Sequence, residues 1–144
     1  MFKGEFRHSL DQKGRLVLPA QVRGMVEEGA VLTKSNRGNY LVGFTRDDFG
    51  RLAARLAEHT SKDPRRRLVE RAFFSSARDV EIDRAGRIVI PQNLRDHAGL
   101  EGDVVVVGVN ECFEIWDGGR FEAEQAKVSA ALPDIIQDVP ELGF

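Results

Sequence analysis

The chain repeats part of itself. Residues 11–23 read DQKGRLVLPAQVR and residues 83–95 read DRAGRIVIPQNLR, with every match at one offset of 72 residues. Six of these 13 positions are identical: Asp11/Asp83, Gly14/Gly86, Arg15/Arg87, Val17/Val89, Pro19/Pro91 and Arg23/Arg95. Leu16/Ile88, Leu18/Ile90 and Val22/Leu94 are conservative exchanges. At a chance match of ~6% per position, six identities in a given window arise on the order of once in ten thousand. The segment is a duplication, and a duplication constrains architecture more than any single residue does.

Each copy reads as the same small unit. Phe6, His8 and Leu10 alternate in the first copy, and Val80 and Ile82 in the second, which is the period of a half-buried strand. Asp-x-x-Gly then forms a tight turn: Asp bonds its own downstream backbone, and Gly accepts positive φ. Leu16-Val17-Leu18 and Ile88-Val89-Ile90 are short β-forming runs, hence a second strand. Pro19 and Pro91 cannot donate to a ladder but suit the first turn of a helix. The first of these short helices closes at Met25 to Glu28, the second at Gly99, just past His97-Ala98. Two more strands follow in each copy. Val31-Leu32-Thr33 lies near the place of Val104-Val105-Val106, and Tyr40-Leu41-Val42-Gly43-Phe44 parallels Cys112-Phe113-Glu114-Ile115-Trp116.

A unit of strand, turn, strand, short helix, strand, strand cannot bury both faces of its sheet alone. Two of them complete one core by interleaving across a pseudo-twofold axis. The expected fold class is α+β, with a β-barrel-like body built from both copies and helices added to it. Between the copies, Thr45 with Asp48 three residues later reads as a capping box opening a helix through Arg55-Leu56. Asp63 as N-cap and Pro64 at N1 open another over Arg65–Ser75. A third helix is expected at Gly119–Ala131, with Pro133 and Pro140 punctuating a loose C-terminal end.

Composition removes several classes. At 144 residues, with 42% hydrophobic and 31% charged, the chain can bury a core without staples. A lone Cys112 forms no intrachain disulfide and fits a reducing cytosol. No 18-residue apolar run and no N-terminal apolar h-region occur, which argues against membrane spanning and a secretion signal. His8, His59 and His97 lie in unlike contexts, so no catalytic constellation is expected. C-x-x-C and H-x-x-x-H spacings are missing, so no metal site is expected either. Cys112 reads as a packing residue, and the glycines form no Walker or dinucleotide loop. The expectation is a non-enzyme without cofactors, the third-ranked alternative being a small hydrolase.

The net charge of −2 hides a division. Residues 1–25 carry +3, residues 26–59 are balanced, residues 60–95 carry +4 and residues 96–144 carry −9. Both positive segments contain a copy of the turn, and local field outweighs total charge in deciding what a surface attracts. The turn itself supports two readings. Asp11 and Asp83 can satisfy turn amides while Arg15 and Arg87 pair with them as ordinary surface ion pairs. Alternatively, Asp11, Gly14, Asp83 and Gly86 set the turn and aim the guanidinium groups of Arg15 and Arg87 at phosphate or guanine, with Lys3, Arg7, Lys13 and Arg84 as flanking cations. Arg23 and Arg95 have the simpler option of pairing with nearby acids such as Glu27 or Asp96.

The frame L-D-x-K-G-R-L-x-x-P at Leu10–Pro19, preceded by Met1-Phe2-Lys3-Gly4 and followed by D-x-x-G-R-I-x-I-P at Asp83–Pro91, resembles the MraZ family of bacterial transcriptional regulators. The resemblance spans about residues 1–135. It implies two AbrB-like swapped-hairpin halves at residues 5–47 and 77–120, a helical connection at 48–76, and a C-terminal helix and tail at 121–144. It further implies a ring-shaped homo-oligomer that binds repeated promoter boxes in double-stranded DNA. The implied role is repression of the protein's own division and cell-wall operon, in the cytoplasm at the nucleoid. The family's D-x-x-x-R signature falls on Asp11/Arg15 and Asp83/Arg87. His8 and Val80 stand where the wider class carries a further basic residue, so that contact does not carry over. The alternative class is an antitoxin-like module, in which a swapped-hairpin domain binds DNA and the tail wraps a partner protein.

Overall fold

The computed structural model describes residues 1–58 and 63–144. His59 and the 59–62 stretch of the helical connection lie outside the described residues.

The first copy contributes β1 (Glu5–Ser9), β2 (Arg15–Val17), α1 (Ala20–Met25), β3 (Ala30–Lys34) and β4 (Leu41–Thr45). Helices α2 (Arg46–Glu58) and α3 (Arg65–Ser76) connect it to the second copy. That copy repeats the order as β5 (Arg78–Val80), β6 (Arg87–Val89), α4 (Gln92–Ala98), β7 (Asp103–Gly108) and β8 (Phe113–Asp117), followed by α5 (Gly118–Asp138) and a single 3-10 turn at Pro140–Leu142.

The strands interleave. Six form one antiparallel sheet in the order β1-β7-β8-β4-β3-β5. Exchanging each strand for its counterpart in the other copy reverses this order, so the sheet has a pseudo-twofold axis between β4 and β8. The register obeys the sequence offset: Val42 lies opposite Glu114, and Leu16 opposite Ile88, each 72 residues apart. Offset and axis are one fact seen at two levels. The third strand departs from it. Ala30 pairs with Val80 as Val104 pairs with His8, so β3 corresponds to β7 at an offset of 74. The second copy's α4 segment is two residues longer, and its β7–β8 connection two shorter.

The expected barrel-like closure is not found among the described residues. Strands β2 and β6 hydrogen-bond to each other as a separate two-stranded ribbon, instead of bridging β1 and β5 at the sheet's edges. The ribbon packs on the sheet through the inward side of its alternation. Leu16, Leu18, Ile88 and Ile90 are fully buried and join Leu32, Leu41, Phe113 and Ile115 in one core. Burying each such side chain contributes roughly 1.5–3 kcal/mol, which is what holds so short a ribbon in place.

The helix signals act where the sequence puts them, with two adjustments. Thr45 Oγ1 accepts the Asp48 N–H at 3.0 Å to open α2, and Asp63 Oδ1 accepts the Arg65 N–H at 2.9 Å at the start of α3. Pro19 and Pro91 occupy the N-cap positions of α1 and α4 rather than their first turns, with ψ of 144° and 148°, and Pro64 rather than Asp63 occupies the N-cap of α3. Asp117 caps α5 through the Arg120 N–H at 3.0 Å. That helix continues past the expected end at Ala131 through Pro133 to Asp138. The helix formers Ala130, Ala131 and Leu132 on the proline's N-terminal side hold the turn that Pro133 interrupts.

Candidate nucleic-acid interface

The outward side of the β2–β6 ribbon carries Arg15 opposite Val89 and Val17 opposite Arg87. With Leu16 and Ile88 turned inward, all four must face away from the core. Val17 is 37% exposed and Val89 56%. The two arginines stand on a diagonal of the ribbon, roughly 7–8 Å apart by antiparallel geometry.

Each arginine is held by its own turn in the same way. Asp11 Oδ1 accepts the backbone N–H groups of Lys13 (2.9 Å) and Arg15 (2.8 Å), and its Oδ2 accepts Arg15 Nε–H at 2.6 Å. Asp83 does the same for Ala85, Arg87 and Arg87 Nε–H, all at 2.9 Å. In both, the Asp carbonyl accepts the glycine N–H, and Gly14 and Gly86 sit at φ of 76° and 78°, where a side chain would be strained. The glycine carbonyls then cross the axis: Gly14 accepts the Ile90 N–H at 2.8 Å and Gly86 the Leu18 N–H at 2.9 Å. The turns are thus stitched to the opposite copy.

The anchor engages Nε, and among the described residues the terminal nitrogens of both guanidinium groups have no hydrogen-bond partner, which leaves each as a planar fork. The Arg15 N–H, followed by the guanidinium, holds the Asp11 carboxyl below the usual carboxylate range against the opposing effect of burial; the Arg87 N–H does so for Asp83. Both anchors are therefore ionised at neutral pH.

Of the flanking cations, Lys13 and Arg84 lie exposed within the two turns. Arg7 is placed differently: on β1 it pairs with Glu122 of α5 and with Glu5 at 3.1 Å. Lys3 precedes β1, at the end of the strand away from the turn. The structure brings Arg15, Lys13, Arg87 and Arg84 to the ribbon and leaves Lys3 and Arg7 outside it.

It brings in two residues that local reasoning assigned elsewhere. Neither Arg23 nor Arg95 forms an ion pair among the described residues. Each guanidinium lies over the turn glycine of the other copy: a β-carbon on Gly86 would meet Arg23 Nη1 at 2.0 Å, and one on Gly14 would meet Arg95 Cζ at 2.6 Å. Arg95 Nε is buried without a hydrogen-bond partner among the described residues. A half-buried cation beside each anchored Arg–Asp turn adds positive field to each end of the ribbon. The signal for these two, and for Val17 and Val89, was present in the sequence. They are identical in both copies although core packing does not require it, whereas the buried Leu16/Ile88 and Leu18/Ile90 vary.

Cys112 is half-buried, and burial followed by Glu114 and Glu111 pushes its thiol up to about 11, which fits a packing residue. Among the described residues no helix is long and apolar enough to cross a membrane.

The fold and site define a duplicated α+β protein that displays two aspartate-anchored arginines on one outward ribbon. The chain is a member of the MraZ family, whose model, described as "MraZ protein, putative antitoxin-like", matches residues 1–72 and again residues 73–135. The two matches begin 72 residues apart, the offset of the repeat. The transcriptional regulator MraZ of Acetivibrio thermocellus is 38% identical over 144 residues, covering all of both chains. That of Ligilactobacillus salivarius is 40% identical over 141 residues, covering 96% of each, and that of Treponema denticola 33% over 142 residues, covering 98% of this chain and 99% of its own.

Proposed function

We propose that this chain is a transcriptional regulator that binds double-stranded DNA through the β2–β6 ribbon. The observation that carries this reading is the pair of equivalent guanidinium groups, each held at Nε by an aspartate and each with a free fork. Support also comes from the names of the full-length relatives. The two halves at residues 5–47 and 77–120 act together as AbrB-like units. Arg15 and Arg87 contact phosphate or guanine, flanked by Lys13 and Arg84, with Lys3 and Arg7 at the periphery. One ribbon offers few cations, which gives weak and salt-sensitive binding. Several copies in a ring present many ribbons to repeated promoter boxes at high effective concentration. The operon addressed is the protein's own division and cell-wall cluster, repressed at the nucleoid in the cytoplasm.

The test is a mobility-shift titration on a duplex from that promoter across a salt series. Arg15→Ala and Arg87→Ala each lose about 1–3 kcal/mol if the lost contact is bidentate to guanine, and each lowers the salt slope by ~0.9 per phosphate released. Wild-type affinity and slope in both variants would overturn the site assignment.

A further inference from the structure

The repeat relates more than the ribbon. Helices α2 and α5 begin 72 residues apart, and apolar residues of each helix and of the strand before it correspond at the same offset: Phe44 of β4 with Trp116 of β8, Phe49 of α2 with Phe121 of α5, and Leu56 with Val128. In the first half that surface is partly covered, leaving an opening of about 290 Å³ lined by Phe44, Leu52, Leu56, Val69 and Phe73. Helix α3 lies on the surface, with Phe73 stacked on Phe49 at 5.7 Å and edge-on to Phe44 at 6.4 Å. Thr33 of β3 fastens the helix by donating to the Phe73 carbonyl at 2.8 Å. In the second half no helix among the described residues takes α3's place. The Trp116 ring stacks on Tyr40 at 4.2 Å and meets Phe121 edge-on at 5.9 Å, and a groove of about 480 Å³ whose lining includes Tyr40, Val109 and Val128 beside Arg37, Glu114 and Glu124 stays open between β8 and α5. Beyond it, Val128, Leu132, Ile135 and Val139 continue the line of Phe121 at alternating spacings of four and three, each 41–48% exposed. This is the period of a helix face that packs on another helix.

The two grooves differ in charge. Arg37 and Glu114 line both, but where the first has Leu52 the second has Glu124, and α5 beside it carries Glu122, Glu124, Asp134 and Asp138 against Arg120 and Lys127. Its occupant is therefore a basic helix with an apolar centre. Helix α3 has such a face left over: its inner side is used by Phe73, Phe74 and Ser76, and its outer side shows Leu68, 60% exposed, between Arg67 and Arg71. The acidic α5 of another copy would instead set carboxylates against carboxylates. The lengths also agree, since twelve residues of α3 span roughly 18 Å and Phe121 to Ile135 roughly 21 Å.

We infer that the groove between β8 and α5 receives the outer face of α3 from a second copy of this chain. Each α3 then lies between its own first-half groove and its neighbour's second-half groove. The joined surfaces are unlike, so the contact runs head to tail and closes as a ring or extends. The inference rests on the self-association in the proposed function and names the surfaces that make it.

The test is chemical cross-linking in a Cys112→Ser background, read beside mass by light scattering. Leu68→Cys and Val128→Cys, both exposed in the single chain, are made in separate preparations, mixed and oxidised. The expected result is a disulfide-linked pair in the mixture and little in either preparation alone. In the same assay Arg67→Glu with Arg71→Glu lowers the assembly toward the single-chain mass of 16.1 kDa, and adding Glu124→Arg restores it. A pair formed by Val128→Cys alone would mean that α5 meets α5, and would overturn the inference. An unaltered assembly with no cross-link in the mixture would overturn it too, leaving self-association intact. A wild-type chain that is monomeric at all concentrations would remove the underlying reading itself.

Discussion

Gly43→Ala tests how tightly the two halves are fitted at their axis. Gly43 lies opposite Phe113 where β4 meets β8. An added β-carbon would stand 2.1, 2.4 and 2.6 Å from Cζ, Cε2 and Cε1 of that ring. Carbon atoms rest at about 3.5–4.0 Å, so the ring must retreat by more than ~1 Å. It has no room: Phe113 is fully buried, with the Phe2 ring 5.3 Å away on another side. Overpacking of this kind costs about 1–3 kcal/mol, and the absence of slack places this site in the upper half. For a chain of this size that lowers the melting temperature by roughly 5–10 °C. The assay is urea and thermal unfolding at fixed protein concentration, because self-association shifts apparent stability. The repeat supplies the control, since the counterpart of Phe113 is Leu41. Gly43→Ala combined with Phe113→Leu should be more stable than the sum of the single changes by ~1 kcal/mol or more. A Gly43→Ala protein within ~0.5 kcal/mol of wild type, or strict additivity in the pair, would refute the argument.

Other consequences are equally direct. Gly14→Ala and Gly86→Ala each force a side chain into the left-handed region and displace Arg95 or Arg23, so each destabilises by about 1–2 kcal/mol, whereas Gly50→Ala, mid-helix in open space, stabilises by roughly 0.5–1 kcal/mol; urea unfolding of the three decides it. The depressed Asp11 and Asp83 carboxyls make the turn anchors complete above the ordinary carboxylate range and lost only as pH falls through their lower folded values. Carboxyl carbon NMR should therefore show both titrating below the ordinary Asp value, and titration at or above it contradicts the anchoring geometry.

The duplication determined a good deal by itself. Its offset of 72 names the residue pairs that meet across the axis, Leu16 with Ile88 and Val42 with Glu114. The turn chemistry of Asp11, Gly14, Asp83 and Gly86 was legible because an aspartate oxygen reaches only amides two and four residues on, which is a local matter. The Thr45 bond to the Asp48 N–H and the Asp63 bond to the Arg65 N–H were legible for the same reason. Tertiary structure decided what depends on distant partners. Whether β2 and β6 close a barrel or pair with each other turns on the competition between two sets of backbone donors, and no residue within either strand encodes the outcome. The placing of Arg23 and Arg95 over the opposite turns, and of Arg7 against Glu122, follows from the interleaving of two copies. Local spacing instead suggested helix-surface partners for Arg23 and Arg95 and a DNA-facing site for Arg7. Likewise α3 could be read as a helix, but only the packed chain shows that it lies on one of two equivalent surfaces and that no helix among the described residues lies on the other. Short-range hydrogen bonds can be read along a chain; the choice between equivalent surfaces cannot, because it is made by whichever segment arrives there in three dimensions.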